Sequence, residues 1–297
     1  MSIFKNEQQR ALMQDWERRF RKRITVPVED RTVSTSFGQT HLLVAGPKDA
    51  PPMVVLHGAL ATSSHVLPEL GPLLETRRIY ALDVIGQSVM SEDRRMELTD
   101  GSYGRWVCEA CDALSLPEFD LYGVSWGGFV ALQAAAAAPT RLRHLLLLVP
   151  AGVVGNSIWA GIRDAGLPMM LYRAFPSEAR FERVMRAFFT DIDPDWNAYF
   201  RDALNAYRTD IRVPPLVQQK ALQDVHCPVL VFGAEHDVNF PGPALLKRTK
   251  ELFPQSEVEL LPGSQHCPAF TTAFRTRMAT RIEKFLTSPG TVPINSK

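Results

Sequence analysis

Ser125 stands in the run Gly123-Val124-Ser125-Trp126-Gly127. Apolar residues lead into it from Phe119 (Leu121, Tyr122), and a helix-forming run from Phe129 to Ala138 follows it. Strand, sharp turn and helix in that order form a nucleophile elbow, which lifts a serine hydroxyl out of the chain. The backbone of such a serine is strained, and its neighbours approach the flanking strand and helix closely. Glycine at 123 and 127 removes the Cβ atoms that would block that approach. An ordinary strand-to-helix turn with an incidental serine could carry the same five residues, so the rest of the chain has to decide.

A serine hydroxyl is a poor nucleophile at neutral pH until a base takes its proton. Of the seven histidines, only His266 follows the last apolar strand, in Pro262-Gly263-Ser264-Gln265-His266. Ligands gather at that end of a parallel sheet. An acid must hold the base in one tautomer and stabilise the imidazolium. Asp237 follows the preceding strand in Phe232-Gly233-Ala234-Glu235-His236-Asp237. In the order Ser125, Asp237, His266, each of the three stands after a separate apolar strand. Asp237 could instead cap a helix, and Glu235 is a rival acid closer to the strand. His266 alone would read as a surface histidine. The other place for an acid, after the earlier strand, holds Pro150 and Ala151.

An acyl-transfer site also needs two N–H groups aimed at the developing oxyanion. The Trp126 N–H, directly after the serine, is one candidate. The loop His57-Gly58-Ala59-Leu60 supplies the other, with Ala59 the choice by position and Leu60 the neighbouring alternative. His57 is expected to hold this loop by hydrogen bonds.

The elements that must position these residues are legible from periodicity. Short apolar runs at Met53–Leu56, Ile79–Leu82, Phe119–Val124, Leu145–Val149 and Pro228–Phe232 read as strands buried on both faces. Glu257–Leu261 follows as a further strand. Arg31–Phe37 and Thr40–Ala45 read as a hairpin turning at Gly38-Gln39. Helices are expected at Thr62–Leu74, broken near Pro68, and at Tyr103–Leu114, Pro243–Leu252 and Ala269–Leu286. This alternation indicates an α/β fold, a mostly parallel eight-stranded sheet flanked by helices. The rhythm stops after the sixth strand. Residues 152–222 are aromatic and helical, which reads as a cap over the sheet edge. The expected division is therefore 1–30 (helix and lead-in), 31–151 (first part of the core), 152–222 (cap), 223–287 (second part) and 288–297 (a disordered tail). Within 1–30, Phe4–Arg23 reads as a helix with Leu12, Trp16 and Phe20 in one stripe. Docking of that stripe on the domain is one reading, and a helix lying on a membrane surface is the other; the narrow stripe favours docking.

Composition excludes several classes. The 297 residues are 45% hydrophobic with a formal net charge of +1, so nothing global points to nucleic acid. No apolar run is long enough to span a bilayer. The charged N-terminus lacks the apolar core of a secretory signal, and the expected location is cytoplasmic. Four cysteines in a chain this long do not make a disulfide framework. Cys108 and Cys111 form a lone C-x-x-C on a helix and read as packing rather than zinc or redox chemistry.

With these residues in place, the chain resembles the α/β-hydrolase superfamily over roughly residues 31 to 287. The motifs are His57-Gly58, Asp83-x-x-Gly86, Gly123-x-Ser125-x-Gly127, Gly233-x-x-x-Asp237 and His266. Gly46-Pro47-Lys48-Asp49-Ala50-Pro51-Pro52, Leu56-His57-Gly58-Ala59-Leu60 and Tyr80-Ala81-Leu82-Asp83-Val84-Ile85-Gly86 are similar to the carboxylesterase NP type. That resemblance implies hydrolysis of esters of bulky apolar acids. The chain departs from many relatives at Gly86-Gln87-Ser88-Val89-Met90-Ser91, where Gly-x-Gly-x-Ser is common. It departs again at Gly263-Ser264-Gln265-His266, where Gly-x-Gly-His is common.

The resulting expectation is a serine hydrolase that works through an acyl-enzyme, with no cofactor and no metal. Ser125, His266 and Asp237 form the triad, and Ala59 and Trp126 form the oxyanion hole. The serine argues against dehalogenase or epoxide hydrolase chemistry, which uses a carboxylate nucleophile on this fold. The substrate is expected to be a small ester with an apolar acyl or aryl group, met by Leu60 and Trp159. A C–C bond hydrolase, thioesterase or amidase on the same triad is the alternative, as is a ligand-binding member without turnover. The oligomeric state is left open.

Overall fold

The computed structural model describes residues 2–155, 166–208, 210 and 212–288. Trp159 and the tail beyond Ser288 lie outside the described residues. An eight-stranded sheet forms the centre, in the order β1-β2-β4-β3-β5-β6-β7-β8. The strands are β1 (Val28–Thr35), β2 (Gly38–Ala45), β3 (Pro52–Leu56), β4 (Arg78–Leu82), β5 (Phe119–Val124), β6 (Leu142–Leu148), β7 (Val229–Ala234) and β8 (Glu257–Leu261). β2 runs antiparallel to β1 and β4. Every pair from β4 onward is parallel. The expected fold class is therefore observed. The hairpin turn is not where Gly38-Gln39 predicted it. Ser36 and Phe37 make the turn, and Gly38, at φ 114°, opens β2. Glu109 on the neighbouring helix takes the Ser36 N–H and hydroxyl, which fixes the turn two residues early.

Successive residues of a strand point to opposite faces, and here both faces are covered. Leu121, Leu145, Leu147 and Val231 face a core shared with α3 (Ser102–Ala113), α4 (Trp126–Ala137) and α8 (Gly242–Leu252). Tyr122, Leu146, Leu230 and Phe232 face the other core. That core is closed by the 3₁₀ segment Leu67–Glu75, which continues α2 (Ser63–Val66), and by α9 (Thr272–Thr287). Pro68 and Pro72 remove amide donors from the expected long helix and leave the tighter spiral in its place.

Between β6 and β7 the chain forms α5 (Leu167–Ala174), α6 (Glu178–Phe188) and α7 (Pro194–Ala206). α1 (Glu7–Arg21) packs on α7. Its buried stripe is Met13, Trp16 and Phe20; Leu12, read as part of the stripe, is only partly buried. The Trp16 indole donates to Asp202 Oδ2 over 2.8 Å, and Arg23 forks onto Asp193. The docked helix of the sequence reading is thus seated on the inserted helices as well as on α2. No described helix is long and apolar enough to cross a membrane.

Candidate active site

Ser125 follows β5, Asp237 follows β7 and His266 follows β8, so the parallel strands deliver all three to one end of the sheet. Ser125 Oγ lies 2.9 Å from His266 Nε2. His266 Nδ1 lies 2.8 Å from Asp237 Oδ2. Asp237 is buried, and its second oxygen accepts the Asn239 and Phe240 N–H groups over 2.8 and 3.0 Å. The carboxylate therefore both orients the histidine and closes a turn. Its alternative reading as a helix cap gives way to that turn, because α8 begins only at Gly242. Glu235 points elsewhere and accepts the Gly263 N–H over 2.8 Å, which pins the loop carrying His266.

The elbow has the strain its motif implies. Ser125 sits at φ 51°, ψ −112°, a conformation side chains rarely adopt. A Cβ on Gly123 would stand 2.5 Å from the Gly127 carbonyl oxygen, and one on Gly127 would fall on the Leu56 carbonyl. Gly128, which the motif does not include, is needed as well, because a Cβ there would meet Pro150 at 2.6 Å. Ser125 N–H donates to the Leu148 carbonyl and Ala151 N–H donates to the Ser125 carbonyl, both over 2.9 Å, so the end of β6 and the residues after it hold the turn.

The loop after β3 lies beside the serine; a Cβ on Gly58 would touch Ser125 Cβ at 3.6 Å. His57 holds this loop as expected. Its Nδ1 donates to the Gly58 carbonyl over 2.7 Å and its Nε2 accepts the Val84 N–H over 2.9 Å. Burial pushes its pKa down, which keeps the ring neutral and able to accept. Ala59 is exposed to the cavity, and Leu60, at φ 56°, turns its own N–H away toward Gln87. Trp126 occupies the first position of α4, where no carbonyl of the helix reaches the N–H. The Leu60 carbonyl accepts from the Tyr199 hydroxyl of α7.

Three further residues have no signature in the sequence. Gln87 and Tyr199 set the Leu60 backbone. Thr190, after α6, accepts the Gln265 N–H and donates to the Cys267 carbonyl, both over 2.9 Å. Cys267 N–H donates to the Phe188 carbonyl over 2.7 Å. The inserted helices thus hold the loop of His266 directly. Cys267 is no rival nucleophile, since burial pushes its thiol up to about 12.

A cavity of about 390 Å³ opens at Ser125 and His266, and its lining is mostly apolar. Leu60 and Trp126 are among the residues that line it. The Phe188 and Phe240 rings stand edge-on to His266, with centroids at 6.4 and 5.5 Å. They fence the imidazole from bulk water. The predicted contact Trp159 lies outside the described residues.

A serine, a histidine and a carboxylate in hydrogen-bonded line at the C-terminal edge of such a sheet define a hydrolase-type site. The chain belongs to the α/β-hydrolase fold family, whose model matches residues 51–273. It is 25% identical over 251 residues to the uncharacterized carboxylesterase nap of Bacillus subtilis, with 79% of each chain covered. It is 24% identical over 263 residues to carboxylesterase YbfK of the same organism, covering 81% of this chain and 83% of that one. The crystal structure of the B. subtilis naproxen esterase (carboxylesterase NP) superposes with a TM-score of 0.79 at 23% identity, over 92% of this chain and 96% of that one.

Proposed function

We propose that the chain is a carboxylesterase acting through an acyl-enzyme on Ser125. The observation that carries this is the unbroken line from Ser125 Oγ through His266 to Asp237, ending in an apolar cavity. His266 Nε2 takes the Ser125 proton as Oγ attacks the ester carbonyl, and returns it to the leaving alcohol. Asp237 keeps the Nδ1–H tautomer and stabilises the imidazolium. The N–H groups of Ala59 and Trp126 receive the oxyanion. A water activated by His266 then releases the acid. The similarity to the two Bacillus carboxylesterases supports the ester as the bond cleaved. Residues 152–222 serve as the cap over this site.

The test is a panel of p-nitrophenyl esters together with a fluorophosphonate probe. Hydrolysis and labelling, both abolished in Ser125→Ala, are expected. Folded protein that neither cleaves esters nor takes the probe would refute the reading. Labelling with turnover of thioesters or β-diketones alone would reassign the bond cleaved.

A further inference from the structure

We propose that the cavity has a dead-end branch that holds the acyl chain of the ester and sets its length, an inference that rests on the esterase reading. The cavity at Ser125 does not end under the inserted helices. Its lining continues along Leu70 and Leu73 of the 3₁₀ segment, Tyr122 of β5, and Met278, Ala279 and Ile282 of α9. These six belong to the core on the sheet face opposite α4. The branch therefore runs beneath the elbow, between the 3₁₀ segment and α9. Lining positions on α9 extend from Phe274 to Ile282. Eight residues of helix span about 12 Å, so the slot suits an extended medium-length chain rather than an acetyl group alone.

Its chemistry selects the acyl side of the ester. The walls carry one charged pair, Glu69 and Arg275, and these bind each other in a two-point fork with both contacts at 2.9 Å. A charged headgroup would find no unpaired carboxylate or guanidinium there, whereas methylenes lose nothing. The leaving alcohol must also depart after His266 protonates it, while the acyl group stays bonded to Ser125 until water arrives. An apolar slot fits the half that stays. Ala279 is the small residue midway along the α9 wall, and a large side chain there would cut the branch in two.

The experiment varies acyl length with the p-nitrophenol leaving group held constant. The wild type should prefer octanoyl over acetyl esters in kcat/KM. Ala279→Phe should lower the octanoyl-to-acetyl ratio by about tenfold or more, since several methylenes lose their burial. Met278→Ala should shift the preference toward longer acyl chains, which keeps the test alive should Ala279→Phe fold poorly. Direct binding of octanoate to the Ser125→Ala protein, by calorimetry, reads the branch without turnover, and Ala279→Phe in that background should abolish it. An acyl-length profile unmoved by both variants would overturn the proposal. So would octanoate binding equal with and without the phenylalanine, or variants that move only the dependence on alcohol length. Octanoate binding in a protein that cleaves no ester would keep the branch and defeat the esterase reading instead.

Discussion

The Leu60 amide N–H donates to the side-chain oxygen of buried Gln87 over 3.3 Å. This bond occupies the Leu60 amide, which supports the proposal that the Ala59 N–H joins that of Trp126 at the oxyanion. Gln87 acts through the loop and never needs to touch substrate.

Gln87→Leu removes that acceptor and leaves the Leu60 N–H without its partner. We expect kcat to fall on the order of tenfold to a hundredfold, less than the loss of an oxyanion donor itself. KM should change little, because the cavity walls are intact. Steady-state kinetics on a short ester separate the two. A fall confined to KM would show that Gln87 shapes binding instead.

Asp237→Asn keeps the turn at Asn239 and Phe240 but presents an amide to His266 Nδ1. The wrong tautomer follows, and kcat should fall about 10⁴-fold. Ser125→Ala should cost on the order of 10⁴- to 10⁶-fold. Because the three act as a unit, the double variant should be no slower than the worse single one. Glu235→Gln, whose carboxylate meets the Gly263 N–H and His236 rather than His266, should cost less than tenfold. An Asp237→Asn enzyme within tenfold of wild type would remove Asp237 from the line.

Thr190→Val deletes both bonds that the hydroxyl makes to the His266 loop while keeping the side chain's shape. We expect a tenfold fall in kcat with a Tm lower by a few degrees, consistent with loss of about 1–2 kcal/mol of hydrogen bonding. Thr190→Ser should restore most of the activity. Equal damage from both variants would point to packing rather than to the hydroxyl.

The elbow was legible because its constraints are local. Gly123 and Gly127 must be small for reasons contained within a few residues of Ser125, and strand ends bring Asp237 and His266 to the same edge. Gly128 was not legible, since its neighbour Pro150 arrives through the β5–β6 pairing. The contacts of Gln87 and Thr190 join segments 27 and 75 residues apart and leave no periodic trace. On α1, Trp16 and Phe20 of the expected stripe are buried, while Met13 takes the buried place beside a partly buried Leu12. A helix turns about 100° per residue, and its partner α7 chooses the face. The turn at Ser36 is illegible for a similar reason, because Glu109 lies 73 residues away in sequence.

His41 beneath the loop predicts a pH dependence. Its Nδ1 lies 2.5 Å from Asp83 Oδ2 and its Nε2 lies 3.0 Å from Asp30 Oδ1. Only the imidazolium can donate to both. Burial opposes the charge, but the two carboxylates prevail and raise the His41 pKa above 6.5. Burial likewise opposes the Asp83 charge, and His41 prevails in lowering it below 3.8. A raised histidine gives stability that is complete below pH 6.5 and is lost as pH climbs through the raised value. A lowered aspartate gives stability present above 3.8 and lost as pH falls through the lowered value. Tm should therefore be highest in the acid-to-neutral window and decline on the alkaline side. His41→Gln should lower Tm in that window, by about 3 kcal/mol of stability, and flatten the alkaline decline. A variant with the same alkaline slope as wild type would locate the titration elsewhere.

Glu17 on α1 shifts in the direction opposite to Asp83. It is buried, and its Oε1 has no hydrogen-bond partner among the described residues. Burial, and then the nearby Asp83 charge, raise its pKa above 4.5, against the pull of Arg21 and His41. The folded state thus favours the protonated acid, and stability is lost as pH rises from 4.5 through the raised value. Glutamine mimics the protonated form at every pH. Glu17→Gln should match wild type near pH 4 and exceed it at pH 8, by on the order of 1 kcal/mol once solvent screening is allowed for. For a chain of this size that is a rise in Tm of about 2 °C. Paired thermal melts across pH 4 to 8 measure the difference directly. Since Glu17 does not line the cavity at Ser125, kcat should follow wild type throughout. A Tm gain independent of pH would mean that glutamine packs better there, and that the carboxylate charge is not the source of the cost.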